Sequence, residues 1–175
     1  HYLTEDIACM RSIVGLDVYS ASDEIITEYL AKLTIKEPKL RVIRLERHGL
    51  PKIHDNMNKI QSEGYAKIYE GVDILVLSYG HLLHRAKEAI DEYNKNAGQN
   101  VGLIDIFSIK PISQRLKSEI ENYKKIITYE EQCLNGGFGS AIVEYVNDLD
   151  LNIKIDRIGL KEKYYFENGG REYLL

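Results

Sequence analysis

The alternation of strand and helix patterns in the second half of the chain constrains the fold more than any other feature. Short apolar runs typical of buried strands lie at 73–78, 102–107, 125–129 and 152–158, and amphipathic helical stripes separate them. A β-α-β-α-β-α-β order requires a parallel sheet with helices on both faces. We therefore predict an α/β fold with a doubly wound, mostly parallel sheet.

The first 48 residues show the same alternation on a smaller scale. Strand patterns at 16–20 and 40–45 flank a helical stripe that Ser22 can cap. Residues 49–63 hold glycine, proline, asparagine and aspartate with few large apolar groups, which is typical of a linker. The patterns therefore predict a domain boundary, with α/β segments at 1–48 and 64–175 on either side of a linker at 49–63.

The charge balance argues against nucleic acid and membrane partners. The 175 residues carry 23 Lys and Arg against 27 Asp and Glu, a formal net charge of −4, so polyanions are not the expected ligands. No run approaches the roughly 18 apolar residues that a membrane span requires. Cys9 and Cys133 lie far apart without metal-ligand spacing, so we expect reduced thiols in the cytoplasm.

A glycine run after the third predicted strand of this domain has two interpretations. Gly137 and Gly139 precede a helix, and Asp156 lies near the end of the next strand, which partly fits a dinucleotide-binding turn. The third glycine position holds Ile142, however. A close contact of the helix with the sheet or a neighbouring domain is therefore the favoured interpretation.

Polar clusters give three further candidates for chemistry. Glu130 and Glu131 follow a strand, where catalytic acids collect in α/β folds, although salt-bridged loops are commoner. His81 and His84 are one helical turn apart and could form half a metal site or lie on a polar helix face. A cationic group suggests either an anion site or a solvated strand edge; its members are Arg41, Arg44, Arg47, His48, Lys52 and His54.

Six stretches, in the right order, resemble the transketolase family of thiamine-diphosphate enzymes. Residues 1–13 are similar to the family's T-H-x-x-x-E-D-x-A-x-M-R-x-I segment without its leading threonine. The others are 18–24 (a strand and P-A-D/S-D turn), 41–47 (R-L-x-R), 63–67 with 70–74 (E-G-x-A and E-G-x-D-V), 105–112 (D-x-x-x-I-K-P-I/L) and 130–140 (E-E…G-G-F-G-S).

The resemblance implies that residues 1–48 end a pyrimidine-binding domain and that 64–175 form a transketolase C-terminal domain. The helical pattern begins almost at His1, and no stretch resembles the family's magnesium motif or its cofactor-activating glutamate. We therefore expect a piece of a longer protein, with the missing domains in the same polypeptide or a separate subunit. The complete enzyme would be a homodimer with thiamine diphosphate and magnesium; this chain alone would bind neither and be inactive.

The resemblance also implies roles for three residues. His1 matches the histidine near the reacting end of the sugar and is the expected catalytic residue. Arg47 matches a strand-end arginine that faces the phosphate or distal hydroxyls of the sugar, a task that suits a guanidinium. His48 lies beside it as a second expected substrate contact, although His48 and Gly49 replace the commoner Q-N.

The activity implied by the resemblance is transfer of two-carbon ketol units between sugar phosphates. The alternatives are a deoxyxylulose-phosphate synthase, a 2-oxoacid dehydrogenase beta subunit, a non-catalytic interaction or regulatory module, and the dinucleotide-binding domain. The R-L-x-R and M-R-x-I strings favour transketolase over its relatives.

Overall fold

The computed structural model describes residues 3–56, 60, 63–165 and 171. The first part contains two helices and two strands: α1 (Asp6–Arg11), β1 (Asp17–Ser20), α2 (Glu24–Lys36) and β2 (Arg41–Arg44). The second part contains three helices and six strands: β3 (Ala66–Tyr69), β4 (Ile74–Ser78), α3 (Gly80–Ala97), β5 (Gly102–Asp105), β6 (Ser108–Lys110), α4 (Leu116–Ile120), β7 (Lys125–Cys133), α5 (Phe138–Asp148) and β8 (Lys154–Leu160).

A five-stranded sheet forms the centre of the second part. Its strand order is β3-β5-β4-β7-β8, and every pair is parallel except β3 with β5. The predicted doubly wound, mostly parallel α/β sheet is thereby confirmed. Strand β3 was not predicted, because it has four residues and only its first, Ala66, is buried.

A smaller sheet joins the two parts of the chain. Its order is β2-β1-β6; β1 is parallel to β2 and antiparallel to β6. Strand β6 has three residues and is formed by the chain that leaves β5. The 108–110 segment therefore belongs to the same sheet as the strands of residues 1–48.

The ends of the helices explain where local prediction succeeded and where it failed. Helix α3 ends as predicted at Gly98, whose φ of 61° favours glycine. Helix α2 is capped by Asp23 rather than by Ser22, because the Asp23 carboxylate accepts the N–H of Ile26 at 3.0 Å. The Ser22 hydroxyl donates instead to Asp105.

The glycine run packs α5 against the sheet. A Cβ on Gly139 would lie 2.7 Å from Oγ1 of Thr128 and 2.9 Å from Oε1 of Glu130. A Cβ on Gly137 would lie 2.3 Å from Oε2 of Glu130. Any larger residue would push the helix from strand β7, which supports the close-contact interpretation of these glycines.

The apolar core lies between the helices and both sheets. Its largest cluster contains fully buried side chains from α1, β1, β4, β5, β7 and α5, including Ile7, Val18, Leu77, Ile126 and Ile142. One core thus stabilises the first part of the chain and the five-stranded sheet together. Within the described ranges, no helix is both long and apolar enough to cross a bilayer.

Candidate functional site

A cleft of about 370 Å³ opens where strands β1 and β2 end. The carboxyl ends of parallel strands are where α/β folds place their ligand contacts. The lining is rich in charged side chains from four separate stretches of the chain. The complete lining, with its uncharged members, is Leu3, Asp6, Ser20, Ala21, Arg44, Leu45, Glu46, Arg47, Glu131 and Arg171.

Arg44 is a fixed positive charge in the floor of this cleft. Its side chain is 18% exposed, and its Nε donates to Oδ2 of Asp6 at 2.9 Å. Its Nη2 lies 3.4 Å from Oε1 of Glu131. Burial alone would lower the pKa of Arg44, but Tyr79, Asp6 and Glu131 together raise it. These ion pairs hold the end of β2 against α1 and β7.

Arg171 forms a second set of ion pairs at the same cleft. Its two terminal nitrogens bond both carboxylate oxygens of Glu46, at 2.8 and 2.9 Å, a bidentate geometry. Its Nε lies 2.8 Å from Oε2 of Glu131. Glu131 therefore contacts Arg44 on one side and Arg171 on the other, and serves as an ion-pair partner of both.

Arg47 is the predicted substrate contact, and it differs from its two arginine neighbours. It is exposed at the edge of the cleft, three residues after β2 ends. Within the part of the chain that the structure describes, Arg44 and Arg171 are in ion pairs while Arg47 is in none. Its guanidinium is therefore available to an anionic ligand that enters the cleft.

Of the other two predicted site residues, the structure describes only His48. His48 is exposed and lines a neighbouring cleft of about 460 Å³ over the first turns of α2, together with Glu24, Thr27 and Leu50. His1 lies outside the described residues. Leu3, two residues further on, lines the cleft of Arg47, and its carbonyl accepts the side-chain N–H of Gln132.

The cationic group predicted from the sequence does not form one site. Arg41 lies at the opposite end of β2 from Arg44 and is buried, and Lys52 is exposed on the connecting segment. His54 is also buried, between two carboxylates. The sequence analysis grouped these side chains because their positions are close along the chain, but closeness along the chain does not bring them into one site.

His54 connects the segment after β2 to both sheets. Its Nδ1 lies 2.9 Å from Oδ2 of Asp23, an oxygen that also accepts the backbone N–H groups of Ile53 and His54. Its Nε2 lies 3.5 Å from Oδ2 of Asp105 at the end of β5. Sequence reasoning missed this cluster, because its members are separated by tens of residues and match no motif.

The pKa values of this cluster depend on both burial and charge. Burial would lower the pKa of His54, but Asp23 and Asp105 raise it. Burial would raise the pKa of Asp23, but hydrogen bonds from His54 and Ile26 lower it well below its usual range. Burial raises the pKa of Asp105 to about 7, although His54 opposes that shift. Two carboxylates thus share one imidazole.

The predicted acid pair separates into two different roles. Glu131 is turned toward the cleft and its arginines, as described above. The carboxylate of Glu130 accepts the N–H groups of Phe138 and Gly139, each at 2.7 Å, at the start of α5. Burial raises the pKa of Glu130 to about 7 against those hydrogen bonds. Glu130 therefore anchors a helix, away from the cleft.

The described residues give no metal centre at the histidine pair. His84 Nε2 lies 2.7 Å from the carbonyl oxygen of Ser22, so this side chain bonds the start of α2. His81 is half-buried, and burial lowers its pKa, with Arg171 adding to the effect. Among the described residues, no group of three or more His, Cys, Asp or Glu side chains is arranged so that it could hold a metal ion, and we assign no cofactor ligand to the two histidines.

The geometry of the cleft that Arg47 lines suits recognition of an oxyanion more than bond-breaking chemistry. Two of its arginines are held rigidly by carboxylates, and the third is exposed at the entrance. A guanidinium binds phosphate or carboxylate through two parallel hydrogen bonds. The cleft can therefore fix one charged end of a substrate whose reacting end lies deeper or on another part of the protein.

Comparison with curated proteins gives relatives that are much longer than this chain. It is 32% identical over 168 residues to 1-deoxy-D-xylulose-5-phosphate synthase of Phocaeicola vulgatus, covering 94% of this chain and 27% of the relative. The protein of the same name from Lysinibacillus sphaericus is 30% identical over 176 residues, covering 97% and 27%. The chain thus spans about a quarter of the length of these relatives.

Solved transketolases share the fold. A split-gene transketolase described as an inactive beta4 tetramer has a TM-score of 0.88 and 26% identity, covering 99% of this chain and 56% of that chain. Transketolase of Pichia stipitis in complex with sedoheptulose-7-phosphate has a TM-score of 0.75, covering 99% and 24%. At 17% identity, the second likeness concerns the fold alone.

A family model supplies the assignment. The model described as "Transketolase, C-terminal domain" matches residues 64–169, which is more than half of the chain. The family resemblance of the sequence motifs is thereby confirmed. With its doubly wound sheet and this match, the chain belongs to the transketolase family of thiamine-diphosphate-dependent enzymes and carries the family's C-terminal domain.

Proposed function

We propose that the complete enzyme containing this chain transfers two-carbon ketol units between sugar phosphates. The observation that carries the proposal is Arg47, an exposed guanidinium without an ion pair in the described residues, at the edge of a cleft at the strand ends. Arg47 binds the phosphate of the sugar, and His48 contacts the substrate from the adjoining segment. In this family, thiamine diphosphate supplies the carbanion chemistry when bound.

His1 is proposed to act at the reacting end of the sugar. An imidazole there donates a hydrogen bond to the alkoxide that develops on the substrate or relays its proton. The rest of the chain orients the substrate through Arg47 and packs against the other domains of the enzyme. This division leaves the cofactor and its metal to the other domains of the enzyme.

A second candidate is a 1-deoxy-D-xylulose-5-phosphate synthase, because the curated relatives at about 30% identity carry that name. Both reactions act on phosphorylated sugars, so the role of Arg47 is the same in either. In a mixture that contains the substrates of both reactions, mass spectrometry distinguishes them. Appearance of 1-deoxy-D-xylulose 5-phosphate supports the second candidate, and transfer from xylulose 5-phosphate to an aldose phosphate supports the first.

We also propose that this chain needs partners. The missing domains come from the same polypeptide or a separate subunit, and the complete enzyme is a cytoplasmic homodimer. A transketolase of related structure is described as the product of a split gene, which shows that such a division occurs. Alone, the chain binds thiamine diphosphate weakly or not at all and has no ketol-transfer activity. Calorimetry with thiamine diphosphate and magnesium tests this: micromolar one-to-one binding by the chain alone would contradict it.

Replacement of Arg47 in the complete enzyme tests the site. Arg47→Ala removes a charge-assisted contact worth about 1.5–3 kcal/mol, so kcat/KM for phosphorylated sugars should fall roughly 10- to 150-fold, mainly through KM. Unphosphorylated sugars should lose much less. Lys52→Ala is the matched control, since Lys52 is an exposed cation on the same segment that does not line the cleft. Equal losses on both substrate types would remove Arg47 from the site.

A further inference from the structure

A second cleft opens at the other end of strands β1 and β2. It encloses about 530 Å³ and is lined by the first residues of these strands, Asp17 and Arg41, by the last turns of α2 and by residues 63–64 and 108–113. At about 3.3 Å per residue, Arg41 is separated from Arg44 by about 10 Å along the strand. This cleft shares no lining residue with the cleft of Arg47.

Arg41 is buried in the wall of this cleft with few partners. Its side chain is 3% exposed, and the carboxylate of Asp17 lies 3.8 Å from its Nη2, beyond hydrogen-bond distance. Its Nη1 donates to Oγ1 of Thr34 at 3.1 Å and reaches the carbonyl of Glu37 at 3.4 Å. Its Nε has no hydrogen-bond partner in the described structure. A guanidinium has five N–H donors and a permanent charge. An oxyanion would accept the hydrogen bonds that the described residues do not accept.

Three lysines near the carboxyl end of α2 extend this positive charge. Lys32 is paired with Glu28 at 2.6 Å on the outer surface. Lys36 and Lys39 are exposed, line the cleft and form no ion pair within the described ranges. Both ammonium groups can therefore approach a ligand held by Arg41.

Three carboxylates line the same cleft and reduce the positive charge without cancelling it. Glu63 is paired with Arg115 at 2.7 Å, and Asp17 lies against Arg41. Glu37 remains, against Lys36 and Lys39, which are in no ion pair among the described residues. The balance leaves a surplus of one positive charge around a buried guanidinium, which favours an anionic ligand.

The rest of the lining suits a flat or apolar body. Tyr19, Tyr29, Leu33 and Pro111 contribute to it, and the Arg41 guanidinium lies 5.4 Å from the centroid of the Tyr19 ring. The Tyr19 ring therefore lies within cation–π distance of the guanidinium and forms part of the cleft wall beside it. Burial raises the pKa of both tyrosine hydroxyls, so they are neutral donors at physiological pH.

We propose that this cleft binds a small organic phosphate, with its phosphoryl group on Arg41 and the lysines and its body against the tyrosines. A guanidinium fits phosphate and carboxylate alike, but two lysines in addition suit a dianion. This site is separate from the substrate cleft and does not depend on the proposed enzymatic function.

Phenyl phosphate is the probe, because it combines a dianion with a flat ring, and inorganic phosphate tests the anion alone. Calorimetric titrations use the complete protein with Arg47→Ala present, so that the substrate cleft does not contribute. We expect phenyl phosphate to bind more tightly than inorganic phosphate. Arg41→Met should raise the dissociation constant of phenyl phosphate roughly 10- to 150-fold. The exposed control Lys95→Gln should leave it unchanged.

A double variant, Lys36→Gln with Lys39→Gln, keeps the test valid if Arg41→Met does not fold. Both lysines are exposed, so the fold should tolerate their loss while phenyl phosphate binding weakens several-fold and becomes less sensitive to salt. The proposal fails if neither probe binds at about 10 mM. It also fails if Arg41→Met or the double lysine variant binds phenyl phosphate as tightly as the parent.

Discussion

Replacing Glu130 by glutamine tests which of two effects determines the pKa of a buried carboxyl group in this fold: its burial or its position at the start of a helix. Glu130 is fully buried, and its carboxylate accepts two N–H groups at the start of α5. Burial favours the neutral acid, whereas the hydrogen bonds and the positive end of the helix favour the anion. Burial is the stronger effect here, because it raises the pKa of Glu130 from 4.5 to about 7.

The pH dependence that follows has a definite sign. Between pH 4.5 and about 7, Glu130 is ionised in the unfolded chain but protonated in the native protein. The native state then binds more protons, so the free energy of unfolding falls as the pH rises. A shift of about 2.5 pKa units at 1.36 kcal/mol each amounts to about 3 kcal/mol, fully lost above pH 7.

Glutamine has no such pH dependence, and this makes the comparison decisive. Its amide N–H₂ would face one of the two backbone N–H groups, which costs about 1–3 kcal/mol. Glu130→Gln should therefore be less stable than the parent at pH 4.5, and the gap should close or reverse by pH 8. Urea unfolding at both pH values measures it, with the exposed Glu92→Gln as a control for the change of charge.

The opposite trend would refute this reasoning. A stability gap between Glu130→Gln and the parent that stays constant with pH would mean that the native carboxyl titrates as it does in the unfolded chain. A gap that widens toward pH 8 would mean that α5 and its N–H groups stabilise the anion more than burial destabilises it.

Three further predictions concern stability. Gly71→Ala would place a Cβ 2.2 Å from a backbone nitrogen of β5 and should lower the free energy of unfolding by about 2 kcal/mol or more. Gly49→Ala is the control, because a Cβ there would meet no atom within 4 Å, and it should leave the stability unchanged. Thermal unfolding compares the two variants. Leu83→Ala, at a fully buried site, should cost about 2–5 kcal/mol in urea unfolding, whereas the exposed Val14→Ala should cost little. His54→Gln should destabilise the protein more at pH 6 than at pH 9. The raised pKa of His54 contributes stability at low pH, and this contribution is lost as the pH rises through the pKa of His54 in the native protein. An equal loss of stability at both pH values would exclude a contribution from the charge of His54.

Periodicity predicted the elements that bury a continuous face. Strands β4, β5, β7 and β8 and helix α3 were all recognised, because each carries its own apolar pattern or end signal. Strands β3 and β6 have four and three residues, too few for a period to appear. Strand β6 forms because it pairs with β1. Since β1 is distant along the chain, the sequence around residues 108–110 does not indicate this pairing.

The candidate cleft was only partly predictable for the same reason. Arg47 was found through a short string that resembles a family motif. The ion pairs that fix Arg44 join it to residues 38 and 87 positions away. Asp6 and Glu131 carry no signal that would link them to an arginine, since any acid on either segment has the same local pattern.

Arg41 and Arg44 show why proximity in sequence says little about proximity in function. The two residues begin and end the same strand, and side chains three apart in a strand point to opposite faces. At one end, α1 and β7 bring two acids to Arg44. At the other, the end of α2 and the residues after it bring Arg41 a hydroxyl, a carbonyl and two lysines that form no ion pair with any described residue. The helices and strands that converge on each end therefore decide whether the same residue type is an internal ion-pair partner or a candidate ligand site.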